Sequence, residues 1–270
     1  MTDLEGVMAR RRQAAAAARA ALPGRLGVPY ADTPGATLDI FPAANGADPA
    51  PVHVFIHGGF WRSLDAATFS FVAAGFAPFG AATVVLDYPL IPEVRLGTIV
   101  ARCQAAVGWV FRHAAEFGGD ADRLFVSGNS AGGHLVALLM DRAWPPGQGL
   151  PADVLKGGCA ISGVFDLEPV FLSAQNDSLG LTREEVAALS PIHRVPEAAG
   201  PLIVAVGGAE TREFLDQTAE YAAACRAAGL AADVFVMPGA NHLTVVLDGL
   251  ADPKAELNRQ VRRQMGLRPD

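Results

Sequence analysis

The sequence predicts a three-layer α/β protein with a mostly parallel central sheet flanked by helices. Three observations carry this. Short apolar, β-branched runs alternate along the chain with longer segments of helical periodicity. Several of those runs are apolar at every position, as strands covered on both faces must be. The unusual glycine-rich turns fall at the carboxyl ends of predicted strands, where open α/β sheets collect their sites.

The strands expected on this pattern are LDIF (38–41), VHVFIH (52–57), ATVVLDY (82–88), RLFVSGN (123–129), GGCAISG (157–163), PLIVAVGG (201–208) and ADVFVMPG (232–239). Between them, residues 98–117, 131–143, 182–190 and 212–229 have helical spacing, and a last helix is expected in the C-terminal tail. Thr182 with Glu185 forms a capping box, Gly229 closes its helix, and Asp252-Pro253 reads as an N-cap followed by proline at the first helical position.

With 270 residues, 51% hydrophobic and 18% charged, and with no linker or repeat, the chain reads as a single domain over residues 1–270 with an N-terminal helical arm over 1–35. A formal charge of −7 argues against nucleic acid and against an anionic membrane as partners. No run reaches the ~18 apolar residues of a membrane span. Cys103, Cys159 and Cys225 form no CxxC pair, and an odd count is poor material for a disulfide framework; buried thiols in a reducing cytoplasm are expected. The stretch MARRRQAAAAARAAL has the arginines of an export signal, but Arg19 interrupts a weakly apolar run, so an alanine-rich helix is the reading. That helix could pack on a second copy, making a homo-oligomer, or over its own site.

The sharpest turn is FVSGNSAGGHL (125–135), which places G-N-S-A-G between a strand and a helix. That context is what a nucleophile elbow requires: Ser130 projects from a strained turn at a helix N-terminus, and Gly128 and Gly132 leave space for it. A serine hydroxyl needs a base. Of the six histidines, His53 lies in a strand and His113 in a helix, His134 points down its helix, and His193 sits in a loop after Ser-Pro. His242 follows the last strand, where the chain order serine, acid, histidine puts the base. The acid should follow PLIVAVGG: Glu210 is the first carboxylate there, Glu213 the runner-up, and Asp216 lies further along the helix. Asp166, after the preceding strand, is a rival suited to tying its own loop. Lastly, HGGFW (57–61) follows a strand and faces the elbow, as the oxyanion turn of lipases and esterases does. Its donors would be the N–H groups of Gly59 and Phe60 with that of Ala131, while His57 and Gly58 support the loop. Trp61, Tyr88 and Phe165 are expected to wall the substrate pocket. No metal-ligand spacing occurs, and GGFW lacks the lysine of a phosphate loop, so neither metal nor cofactor is expected.

From roughly Phe41 to Asp248 the chain resembles the α/β-hydrolase superfamily, and within it the arylformamidase (kynurenine formamidase) group and related bacterial esterases. Four stretches carry the likeness: HGGFWR, GNSAGGHL, SGVFDLEPV…LGLTREEVAALSP, and VAVGGAETREFLDQTAEYA followed by NHL. In that group the acid stands just before a segment ending in Glu-Phe with a glutamine soon after; Glu213-Phe214 and Gln217 match, which puts the acid on Glu210. This chain has glutamate where many members have aspartate. Residues 166–195 resemble the group's short cap. The resemblance implies hydrolysis of N-formyl aromatic amines such as N-formylkynurenine and of small aryl esters; the residues alone license acyl transfer to water, with a carboxylesterase of short acyl esters as the alternative. A different class of reading is a non-catalytic ligand-binding protein on this fold, which usually lacks one of the three residues that Ser130, Glu210 and His242 would supply.

Overall fold

The computed structural model describes residues 4–44 and 49–268. Eight strands form one sheet: β1 (Arg25–Pro29), β2 (Thr37–Phe41), β3 (Ala50–Ile56), β4 (Ala82–Leu86), β5 (Gly119–Asn129), β6 (Leu155–Ile161), β7 (Leu202–Gly207) and β8 (Ala232–Met237). Their order is β1-β2-β4-β3-β5-β6-β7-β8. β2 runs antiparallel to both β1 and β4, and every pair from β4 to β8 is parallel. All seven residues of β3 are buried. Alternate positions serve opposite faces: Val52, Val54 and Ile56 join one core, Phe55 the other.

Among the helices, α1 spans Leu4–Ala21, α2 Ala66–Phe69, α3 Leu96–His113, α4 Ala131–Leu139, α5 Glu168–Phe171, α6 Asn176–Leu179, α7 Arg183–Leu189, α8 Arg212–Ala227 and α9 Glu256–Gln264. One core packs α3, α4 and α8 on the sheet through residues such as Ile99, Leu135 and Tyr221. The other packs α1, α2, the turn Ser70–Gly75 after it, the π-helical turn Val245–Leu250 and α9 through Ala15, Phe69, Val245 and Val261. The three short helices α5, α6 and α7 occupy the 166–195 segment. No helix among the described residues is long and apolar enough to cross a membrane.

The capping box on α7 forms both ways, with Thr182 Oγ1 accepting from Glu185 N and Glu185 Oε2 accepting from Thr182 N. Gly229 follows α8 with φ +81°. Three expectations need correction. Within the expected arm of residues 1–35, the described residues form helix α1 and strand β1, and the strand went unforeseen because this edge strand exposes most of its short length. α3 ends four residues early, where Ala114–Phe117 tightens to a 3₁₀ turn. α9 starts at Glu256, because Asp252 Oδ1 accepts from Lys254 N and closes a turn that Pro253 occupies.

The register that matters for the site is Ile56 opposite Gly128, between neighbouring parallel strands. It brings the loop leaving β3 against the loop leaving β5. A Cβ on Gly58 would lie 2.7 Å from Asn129 O and 3.1 Å from Ser130 Cβ.

Candidate active site

Ser130 is the single residue between β5 and α4, and its backbone is held at φ 57°, ψ −117°. A non-glycine residue in that region is strained and persists only where its surroundings fix it. Here its N–H donates to Ile161 O at 2.8 Å, and its carbonyl accepts from His134 N at 3.0 Å. The close approach depends on Gly132, whose Cβ would sit 2.0 Å from Ile56 O. Ser130 borders a cavity of about 550 Å³ that Phe60, Val164, Val170, Phe214, His242 and Leu243 also line. The N–H of Ala131, the first residue of α4, has no intrahelical partner.

The loop after β3 turns through three successive positive φ angles, Gly59 at 120°, Phe60 at 57° and Trp61 at 56°. Arg62 N and Ser63 Oγ both donate to Gly59 O, at 3.2 and 2.8 Å. The N–H groups of Gly59 and Phe60 have no partner among the described residues. Beneath them the His57 ring donates from Nδ1 to Gly58 O at 2.6 Å and stacks on Tyr88 at 4.4 Å, while the Tyr88 hydroxyl donates to His57 O at 3.0 Å.

Glu210 and His242 come from the loops after β7 and β8. Glu210 Oε2 accepts from His242 Nδ1 at 2.6 Å. Its other oxygen accepts from Ser162 Oγ at 2.5 Å and from Gly207 N at 2.7 Å. The carboxylate is fully buried with both oxygens bound, whereas the imidazole keeps 31% of its side-chain exposure. With the proton on Nδ1 directed at the carboxylate, Nε2 is left as the acceptor nitrogen of the ring. The assembly therefore offers a serine on a strained turn, unpaired N–H groups on the neighbouring loop, and an oriented imidazole, all from residues bordering one cavity.

A family model for BD-FAE matches residues 38–142, and one for the prolyl oligopeptidase family matches residues 106–266, more than half of the chain. The chain belongs to the prolyl oligopeptidase family. It is 27% identical to the kynurenine formamidase of Danio rerio over 244 residues, 88% of this chain and 81% of that one. A candidate thioesterase from Silicibacter sp. TM1040 superposes with a TM-score of 0.83 at 28% identity, covering 95% of this chain and 93% of that one. An esterase from Thermogutta terrifontis does so at 0.65 and 25% identity, covering 83% and 84%. The protein is thus a serine hydrolase of the α/β-hydrolase fold.

Other predicted residues of this hydrolase fall elsewhere. Glu213 borders the same cavity but makes no bond to His242; its Oε1 accepts from Gln217 Nε2 at 2.7 Å. Gln217 in turn accepts from Phe165 N and Asp166 N, pinning the start of the cap to α8. Asp216 pairs with Arg212 on the surface, and Asp166 accepts from Glu168 N and stands 3.7 Å from His193. The expected pocket of Trp61, Tyr88 and Phe165 is revised, because all three are buried in the core and none borders the cavity. Trp61 donates to His134 Nδ1 at 3.3 Å, Tyr88 supports His57, and Phe165 stacks on Tyr221 at 4.4 Å. Phe60, half-buried, is the aromatic that reaches the cavity from this loop.

His134, held between Trp61 and Leu189 O, has its pKa lowered to about 4 by burial; burial takes His53, hydrogen-bonded to Ser127, down to about 3. Two residues of the site region escaped the sequence reading. Ser162, at φ 50° just past β6, holds Glu210, and its only signal was a small polar residue at a strand end. Arg11, in α1, borders the cavity; the sequence offered this helix as one that could cover the site, but its alanine-rich composition singled out no residue.

Proposed function

We propose that this hydrolase cleaves N-formyl aromatic amines of the N-formylkynurenine type through an acyl-enzyme on Ser130. The observation that carries the reading is the buried, doubly anchored Glu210 holding His242 beside the Ser130 cavity. In the proposed reaction, His242 Nε2 takes the proton of Ser130 as Oγ bonds to the formyl carbon. The oxyanion accepts hydrogen bonds from the N–H groups of Gly59, Phe60 and Ala131. Collapse breaks the C–N bond, and His242 returns the proton to the departing aromatic amine. Water then attacks the formyl ester with His242 as base, releasing formate and restoring Ser130. Glu210 keeps the imidazole in the reactive tautomer and stabilises its charged form.

The formyl preference is supported by the similarity to kynurenine formamidase and by the Phe60 side chain, which borders the cavity from the donor loop itself and suits a small acyl group. A carboxylesterase of short acyl esters uses the same machinery, and the likeness to the Thermogutta terrifontis esterase favours keeping it as the second reading. Three free, buried cysteines suit a reducing, cytoplasmic setting. The deciding experiment measures kcat/KM side by side on N-formylkynurenine and p-nitrophenyl acetate. A formamidase gives the higher value on the formamide, despite its less activated leaving group; appreciable turnover of the ester alone selects the esterase reading.

A further inference from the structure

The buried stripe of α1 consists of Val7, Arg11, Ala15 and Ala18, at the spacing of one helical face. Three of these are apolar, as packing requires. The fourth carries a charge into the core. Arg11 is only 3% exposed, and its Nε and Nη2 have no hydrogen-bond partner among the described residues. Its guanidinium lies over the Phe69 ring at 5.2 Å, a contact that supplies attraction but no acceptor. Burial lowers its pKa, and the opposing charge that acts on it is Asp248, which is already paired with Arg10 on the outer side of the helix. α1 cannot easily turn to relieve this, because Arg10 binds Asp248 at one end and Arg19 binds Asp39 at the other.

A buried guanidinium without acceptors is costly, and native proteins keep one where a partner arrives. Arg11 borders the same cavity as Ser130 and His242, and Arg62 adds a second, exposed positive charge to its wall. We propose that Arg11 is a specificity residue that binds a carboxylate carried by the substrate. The unpaired Nε–H and Nη2–H are enclosed by protein in this structure, so a carboxylate meets them as the cavity wall yields; their planar, adjacent arrangement then matches it in a two-point contact, which the low-polarity surroundings strengthen. Placing that carboxylate on the amine half of the substrate rests on the formamidase reading, since a formyl group has no room for one. The recognition itself does not depend on that reading.

The test uses matched pairs that differ only in charge: N-formylkynurenine and its α-carboxamide, and the acetate ester of 3-(2-hydroxyphenyl)propionate and its carboxamide. Loss of one charge-assisted contact of this kind corresponds to about 10- to 100-fold. Wild-type enzyme should therefore prefer the carboxylate member of whichever pair it hydrolyses by that factor. Arg11→Met, which keeps an unbranched chain over Phe69, should collapse the preference to within about 3-fold, chiefly through KM, and Arg11→Lys should restore part of it. A wild-type enzyme indifferent to the charge, or a preference that survives Arg11→Met, overturns the proposal. Hydrolysis of the ester pair alone would sink the formamidase reading while leaving Arg11 to be judged on the esters. Inhibition of wild type by kynurenine and by kynurenine amide probes the same contact without any variant: the carboxylate should inhibit more strongly, and equal inhibition contradicts the proposal.

Discussion

Among single residues, Ser130 bears the bond-making step of the proposed chemistry. Its alanine variant keeps the turn, because φ near +57° and the Ile161 bond belong to the backbone. We expect Ser130→Ala to show wild-type circular dichroism and to lose roughly 10³-fold or more of kcat, the donors and binding alone sustaining a limited remainder. A variant keeping a tenth of wild-type turnover would exclude Ser130 as nucleophile. The two carboxylates of the next loop are separated in the same way. Glu210→Gln should cost far more activity than Glu213→Gln, since only Glu210 reaches His242 while Glu213 ends on Gln217. The reverse ranking in kcat would transfer the role. Ser162→Ala removes one of three bonds on the Glu210 carboxylate and should lower kcat about 10-fold with little change in KM, the size of one charge-assisted hydrogen bond. A change confined to KM would mean that Ser162 does not act through Glu210. Ser130 and His242 could be read from the sequence because each stands in a local context, strand before and helical turn after. Ser162 could not, because its partner is set by the pairing of β6 with β7.

At the scale of elements, the loop between β3 and α2 decides both the chemistry and one error of the sequence reading. Gly59→Ala is untenable on two counts: φ is +120°, and the new methyl would meet Ser63 O at 2.0 Å. The loop must shift, and losing one aligned donor costs about 3 kcal/mol of transition-state stabilisation, so kcat should fall on every substrate alike. Selective loss on large acyl groups only would show that Gly59 merely shapes the pocket. The sequence reading placed Trp61 in the pocket wall, yet of this loop's two aromatics Phe60 borders the cavity and Trp61 does not. The two rings lie against each other, centroids 5.4 Å apart, with Trp61 fully buried and Phe60 on the cavity side, and no spacing rule reveals which of the pair faces the cavity. Trp61→Ala should therefore act on stability, by about 3–5 kcal/mol in urea unfolding, as expected for an emptied core site. Phe60→Ala should instead shift kcat/KM from formyl toward butyryl aryl substrates. Selectivity changes in Trp61→Ala without loss of stability would contradict its buried placement.

For the whole molecule, the alternation of apolar runs and helical segments was enough to fix the layers, because β3, β4 and β7 are buried throughout, β6 at all but Lys156, and β5 from Leu124 onward. β1 lay beyond that signal: Leu26 is 45% exposed, and a solvent-facing edge strand has no apolar run to read. The two histidines sealed in the core also set a global property. Both His53 and His134 have folded-state pKa values depressed by burial, to about 3 and about 4, so the unfolded chain binds their protons first as pH falls. The stability from keeping them neutral is complete above the unfolded value near 6.5 and is lost below it, down through about 4. The limiting slope is on the order of 1.4 kcal/mol per pH unit for each. Urea midpoints between pH 7 and 4.5 should fall, and His134→Gln should flatten the fall; a midpoint independent of pH would mean that these rings accept protons inside the fold. The most direct measurement of the central claim is labelling with a fluorophosphonate followed by peptide mass mapping. One label per chain is expected, on Ser130, with hydrolysis lost in proportion to labelling. Full activity in a chain labelled at Ser130, or activity lost through a label on another residue, would contradict it.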